Sequence, residues 1–297
     1  MTKPVSIMFA AAAGAVLFGG VANAQNVRVE NAIARVVYIP ENRSDVDVEI
    51  QSGTANLPPL DIRRSQGVVT IDGNINRNAR RVRTLNCQGG GNSEPPSRPG
   101  EGAYASVPGI SRVSLMDAPL IIIRGPRDAN IGTNGAVHGA IGRGANDVRL
   151  SSSGCGNWVI ANVRGNTDVN IGGSGNIWTG ATESLRINIG GSGDVRATTV
   201  KDLRVRIGGS GDVDVQRAVG DVSISVAGSG NVEISEGRIN ALQVSVMGSG
   251  EVEVGGVVND VSATVAGSGD VVVHRVTGNV SQRILGSGKV RVLNRTR

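Results

Sequence analysis

Aromatic residues are nearly missing from this 297-residue chain, which has two Phe, two Tyr and two Trp. Both phenylalanines, Phe9 and Phe18, stand before residue 25, so Tyr38, Tyr104, Trp158 and Trp178 are all that remain beyond it. A core without rings has to be assembled from Val, Ile, Leu and Ala, and a surface without rings gives bases little to stack on. Lysine is also scarce: after Lys3 come only Lys201 and Lys289, so arginine carries the net charge of +5. There are two histidines, His138 and His274, and two cysteines, Cys87 and Cys155. No His/Asp/Ser triad and no zinc-type ligand set can be assembled from these, and no metal or cofactor is expected. No acidic cluster is expected on one outward column, so a lyase-like enzyme lacks its carboxylates and its base. Nucleic acid is not an expected partner, because no binding motif accompanies the positive charge.

What the chain has in abundance is glycine, 44 residues of it, and the glycines are ordered. Gly154-Cys155-Gly156-Asn157 recurs as Gly173-Ser174-Gly175-Asn176, Gly191-Ser192-Gly193-Asp194 and Gly209-Ser210-Gly211-Asp212, and again from Gly228, Gly248, Gly267 and Gly286. Successive first glycines are 19, 18, 18, 19, 20, 19 and 19 residues apart. A fixed period near twenty, with one turn motif per period, is the mark of a solenoid.

The columns around the motif give the strands. Four residues after the first glycine stand Trp158, Ile177, Val195, Val213, Val232, Val252, Val271 and Val290. Six after it stand mostly Val and Ile, and the column between holds Val159, Trp178, Arg196, Asp214, Glu233, Glu253, Val272 and Arg291. Two residues before the glycine, Ile171, Ile189, Ile207 and Val226 repeat the pattern, with Arg149, Arg186, Arg204 and Arg206 in the outward positions. Period-two alternation of β-branched and polar residues is a strand with one buried face. Each repeat therefore reads as strand, Gly-Ser-Gly turn, strand, then a short third side carrying Val200, Val219, Ile239, Val258 or Val276. A hairpin array would need a turn signal between every pair of strands. The fold class is thus all-β, a parallel β-helix, right-handed by the rule for parallel crossovers. The turn glycines are read as supplying positive φ.

Residues 1–24 read as a secretory signal peptide: Lys3, an apolar run from Val5 to Val21, and Ala22-Asn23-Ala24 before the cut. No later stretch is long and apolar enough to span a bilayer, and no translocator-sized domain follows the repeats. The expected location is the periplasm, the cell surface or the medium of a Gram-negative bacterium. Residues 25–105 read as a β-rich cap or opening coils, with a loop over 88–103, and residues 106–297 as the regular helix.

With cap and coils in view, the chain resembles the DUF2807 family, the head GIN domain or autotransporter adhesin family. The Gly-Ser-Gly-Asp-Val repeat and the Val68-Val69-Thr70-Ile71 strand beside Gly67 carry the resemblance. It implies a β-helix in exported bacterial proteins and brings no catalytic residues.

Three features invite a function. The even cysteine count of an exported chain predicts a Cys87–Cys155 bridge stapling cap to helix. Arg149, Arg186, Arg204 and Arg206 project from one sheet as a face for anionic ligands. The Asn157-to-Lys289 column after each turn could be a cation ladder, but the turn itself explains Asp and Asn there. Trp158 falls in an inward column and Trp178 in an outward one. The chain is thus expected to be a non-catalytic envelope protein, adhesin-like or a scaffold, whose partner is envelope polysaccharide or another envelope protein. The alternative is a β-helix enzyme acting on polysaccharide.

Overall fold

The computed structural model describes residues 26–75, 85–88, 94–107 and 110–295. The leader expected at 1–24 lies outside the described residues, as do parts of the 88–103 loop. In chain order the strands are β1 (Asn26–Glu41), β2 (Asp47–Gln51), β3 (Asp61–Ser65), β4 (Val68–Asp72), β5 (Asn86–Gln88), β6 (Tyr104–Val107), β7 (Ile110–Ser114), β8 (Leu120–Pro126) and β9 (Asp128–Ile141). The repeats then supply β10 (Asp147–Ser152), β11 (Trp158–Ile160), β12 (Asn166–Ile171), β13 (Ile177–Thr179), β14 (Thr182–Ile189), β15 (Val195–Ile207) and β16 (Val213–Ala218). They end with β17 (Val222–Val226), β18 (Val232–Val246), β19 (Val252–Val265), β20 (Val271–Val276), β21 (Val280–Ile284) and β22 (Val290–Arg295).

The repeats stack as parallel coils, a β-solenoid of about 9 turns. The strand before each Gly-Ser-Gly turn pairs in parallel with its counterpart one coil on, as Leu150↔Val169 and Ile187↔Val205 show. The strand after the turn does the same, as in Val195↔Val213 and Val232↔Val252. Two sheets result, and the inward columns between them are buried from Val27 through Val276 as one apolar cluster. Trp158 is the largest side chain within it, fully buried, with its indole N–H donated to the Val137 carbonyl at 3.0 Å.

The turn glycines are needed for a reason other than the expected one. None of the first glycines from Gly154 to Gly267 has positive φ. Their Cα atoms instead rest on the coil below: a Cβ on Gly209 would strike the Gly191 carbonyl oxygen, and a Cβ on Gly228 that of Gly209. The serine between donates its backbone N–H across the same gap, Ser192 to Gly173 and Ser210 to Gly191, each at 3.0 Å. The corner is thus a column of backbone on backbone, with no room for side chains.

The third side needs one correction. Val200, Ile239, Val258 and Val276 are buried as expected, but Val219 is 37% exposed, and Ala218 takes the inward place. Val200 pairs with Ala218, and Ala218 with Gly237. The 20-residue period absorbs its extra residue as a bulge between Ile234 and Arg238. Gly237 sits there at φ +143°, where other residues are strained.

The opening coils do not follow chain order. β1 lies inside the stack, with β4 and β8 on one side and β9 on the other. The first described strand therefore lies one coil in, and the chain after it builds the end before β9 stacks on the other side of β1. Two antiparallel strands close that end, β2 on β8 and β3 on β4. Between β4 and β8 the chain forms a small side sheet of β5, β6 and β7. This sheet packs on the coils through a second apolar cluster, including Ile33, Ala105, Val113, Leu115 and Ala136. The expected disulfide is present: Cys87 in β5 is bonded to Cys155 in the first full turn, Cα to Cα 6.2 Å. It ties the side sheet to the repeats across 68 residues.

Candidate functional site

Two outward columns run the length of the first sheet. One reads Asn130, Arg149, Asp168, Arg186, Arg204, Ser223, Gln243 and Ser262. The next reads Ser151, Asn170, Asn188, Arg206, Ser225, Ser245, Thr264 and Arg283. Pleating puts alternate residues on one face, so Arg204 and Arg206 of β15 point the same way, with Arg186 one coil below Arg204. Arg186, Arg204 and Arg206 are exposed and form no ion pair among the described residues. Arg149 stands apart from them, because Asp168 intervenes in the column and approaches its guanidinium at 3.7 Å.

A shallow groove of about 490 Å³ follows the edge of this face and is lined by Asp128, Asp147, Arg149, Asp168 and Arg186, among others. A second, of about 290 Å³, carries on from Ser184 and Arg186 past Asp202, Arg204 and Asp221 to Gln243. Arginine forms one wall and an Asp/Asn corner the other. The corner was not anticipated, although it is a column seven residues before the first glycine. Its oxygens are engaged by backbone. Asp147 Oδ1 accepts the N–H of Asn166 at 2.6 Å, Asp202 that of Asp221 at 3.0 Å, and Asp260 that of Asn279 at 2.8 Å.

The column after the turn works the same way. Asn157 Oδ1 accepts from the Asn176 N–H, Asn176 from Asp194, Asp194 from Asp212, and Asp212 from Asn231, at 2.7–3.0 Å. Asn231 accepts from Glu251 at 2.9 Å, and Asp270 from Lys289 at 2.9 Å. These short side chains satisfy orphan N–H groups at the corner, which accounts for Asp and Asn without a cation. Among the described residues no group of three or more His, Cys, Asp or Glu could hold a metal ion.

His138 begins that ladder. It is buried, and its Nδ1 accepts the Asn157 N–H at 3.2 Å, in the role Asp and Asn play above. The ring proton therefore sits on Nε2. Burial lowers its pKa to about 4. An unfolded imidazole takes its proton near 6.5, so the unfolded chain is protonated first as pH falls. Stability is full above 6.5 and lost on descending towards 4, by about 3 kcal/mol for this group. Chemical denaturation at several pH values should show that slope, and His138→Asn, which keeps an acceptor without titrating, should flatten it. An unchanged slope in the variant would refute this role.

The second sheet corrects another expectation. An acidic column does gather on one outward face: Asp214, Glu233 and Glu253 are register partners in successive coils. Burial raises the pKa of Asp214, Arg196 at 3.2 Å opposes the shift, and Asp212 and Asp194 add to it. His274 Nε2 lies 2.8 Å from Glu253 Oε1. Trp178 stands beside Val159 and Arg196 in the same column, yet it is only 6% exposed and so is packed rather than displayed.

A flat, grooved, parallel β-solenoid with a disulfide-stapled side sheet defines the class. Residues 196–296 match the model of the family described as DUF2807, "Putative auto-transporter adhesin, head GIN domain", which bears out the resemblance over the later coils. A solved structure of a "putative adhesin" from Parabacteroides distasonis ATCC 8503 superposes with a TM-score of 0.53 and 17% identity, over 93% of this chain and 94% of that one. A "Putative lipid binding protein" from the same organism gives 0.49 and 16%, over 93% and 95%. At 17% identity the likeness to the first is one of fold. No curated protein matches the chain.

Proposed function

We propose that this is an exported, non-catalytic binding protein of the bacterial cell envelope, adhesin-like, that holds anionic groups of an envelope polysaccharide along the first sheet. The observation that carries this reading is the patch of Arg186, Arg204 and Arg206, register-ordered and free of ion pairs among the described residues. Arg186 and Arg204 spring from backbone about 4.8 Å apart, with Arg206 two residues along the strand, so three guanidinium groups can meet neighbouring charges of one acidic sugar chain. The disulfide supports an oxidising compartment, as does the sequence pattern of residues 1–24. In this reading the residues up to 105 close the solenoid and the coils from 106 onward carry the face.

The test is a titration with dextran sulfate as the anionic probe, across a salt series. The triple variant Arg186→Gln, Arg204→Gln, Arg206→Gln should bind at least about tenfold more weakly at low salt, with a shallower salt dependence. Arg217→Gln, on the other sheet, should bind as the parent does. Equal binding by the triple variant would dismiss the patch. A polysaccharide-acting enzyme is the second reading, favoured by the groove that gathers Asp128, Asp147 and Asp168 beside Arg149.

A further inference from the structure

The two ends of the solenoid are unlike each other and fit each other. At the far end, among the described residues, β21 pairs only with β19 and β22 only with β20, so each leaves one edge of backbone groups unpaired. At the near end, among the described residues, β2 pairs only with β8 and β3 only with β4, and each again leaves an open edge. Open edges of this kind are templates for another strand.

Following the register through the stack shows what each column presents at its two ends. The inward column of the first sheet that runs through Ile71, Val29, Ile171 and Val265 ends in Ile62 on β3 and Ile284 on β21. These two isoleucines are 41% and 40% exposed, whereas Ile71, Val29 and Val265 are fully buried. On the second sheet the inward columns end in Val48 and Ile50 on β2, and in Val292 and Val290 on β22, all half-buried. The outward column through Ile122, Val37, Val159, Asp214 and Val272 ends in Glu49 on β2 and Arg291 on β22. Each column thus meets its own kind, apolar against apolar and acid against base.

Charge agrees along the rest of that seam. Asp47 and Glu49 form no ion pair among the described residues, while Glu41 and Asp45 beside them are taken by Arg43. Arg291 is 55% exposed and shares its guanidinium with Asp270 at 3.3 Å, and around it Arg283, Lys289 and Arg295 form no ion pair among the described residues, so the far end carries a net positive charge. On the other seam, Arg63 is already paired with Asp72 at 2.8 Å, and Arg64 is bonded to the Val46 carbonyl at 2.8 Å. A symmetric dimer of far ends would set arginine against arginine, and one of near ends would set Asp47 and Glu49 against their copies.

We infer that copies of this chain dock head to tail, the β2–β3 end of one on the β21–β22 end of the next. β2 and β3 run against the direction of the coils, so the new pairings are antiparallel in both sheets. Such a contact is heterologous: every docked copy offers a fresh end, and the product is an open filament rather than a closed ring. This goes beyond the binding role proposed above, and it would repeat the arginine face along the filament.

Sedimentation velocity on the full chain, over a concentration series at low and high salt, tests it. Mass should rise continuously with concentration and fall back as salt screens the seam. Glu49→Arg alone and Arg291→Glu alone should each weaken association about tenfold. Mixing the two variants should restore continued growth, because the E49R end fits the R291E end and the unchanged Glu49 end of one variant fits the unchanged Arg291 end of the other, so the two alternate along the filament. Thermal melting shows whether each variant is folded, and the two changes lie at opposite ends, so a fold defect in one leaves the other informative. A mass independent of concentration would overturn the inference. So would a limiting dimer of the parent chain, or no recovery on mixing.

Discussion

Gly209→Ala should destabilise the protein by about 3 kcal/mol, near the upper range for overpacking. The cause is contact rather than backbone conformation. The added methyl would meet the Gly191 carbonyl oxygen, and that oxygen already accepts the Ser210 N–H. Backbone in a stacked coil cannot swing aside as a side chain can, so the coils must part locally. Gly209 lies mid-stack, and each coil is stabilised only by its neighbours, so the damage divides the solenoid in two. Urea denaturation should show a lower midpoint and a broadened transition. Ser210→Ala, one residue on and exposed, should change stability by no more than about 0.5 kcal/mol. Equal effects of the two substitutions would show that the corner column is not close-packed.

The second large effect is loss of the disulfide. Cross-linking Cys87 to Cys155 closes a loop with a sequence separation of 68. On the chain-entropy account, a loop of that length is worth about 4 kcal/mol. Among the described residues the cluster under the side sheet is small and rich in alanine (Ala103, Ala105, Ala118 and Ala136), and the hydrogen bonds from Arg35 and Ala55 reach only its far edge at Asp117 and Ala118. Cys87→Ser with Cys155→Ser, or reduction, should therefore release residues 85–118 before the coils melt. Limited proteolysis should cut there in the reduced protein and spare Val195–Val276. A single cooperative loss of both regions would contradict this division.

The coils were legible because their physics is local and repeated. A β-branched residue every second position and one Gly-Ser-Gly corner per period leave a single solution, and the inward columns fall where the spacing puts them. The purpose of the glycines was not legible, since close approach between coils and positive φ select the same residue. Val219 is misplaced because Ala218 and Val219 are adjacent apolar residues, and only the pairing of Val200 with Ala218 shows that the smaller one faces inward. The inserted position of β1 was also invisible, because strand order is settled by long-range pairing and not by pattern.

The arginine face was readable in outline, as outward residues of one sheet. Asp168, five residues before its glycine as Arg149 and Arg186 are before theirs, already dilutes the strip in the sequence, and the register sets it directly between those two arginines. The acidic column of Asp214, Glu233 and Glu253 lies in the aligned repeats, against the expectation of no acidic cluster on one outward column, because the valines and arginines at the column's other positions mask it. Aligning Gly135 with Gly154, 19 residues on, puts His138 in the Asn/Asp column, but an imidazole there does not by itself reveal that it accepts the next coil's N–H.

Co-sedimentation with isolated peptidoglycan, lipopolysaccharide and capsule, with released sugar assayed in the same tubes, tests the binding role most directly. Saturable, salt-sensitive binding to one fraction, with no sugar released, is the predicted result. Sugar release, lost when Asp147 or Asp168 is changed to Asn, would contradict it and make the groove a catalytic one.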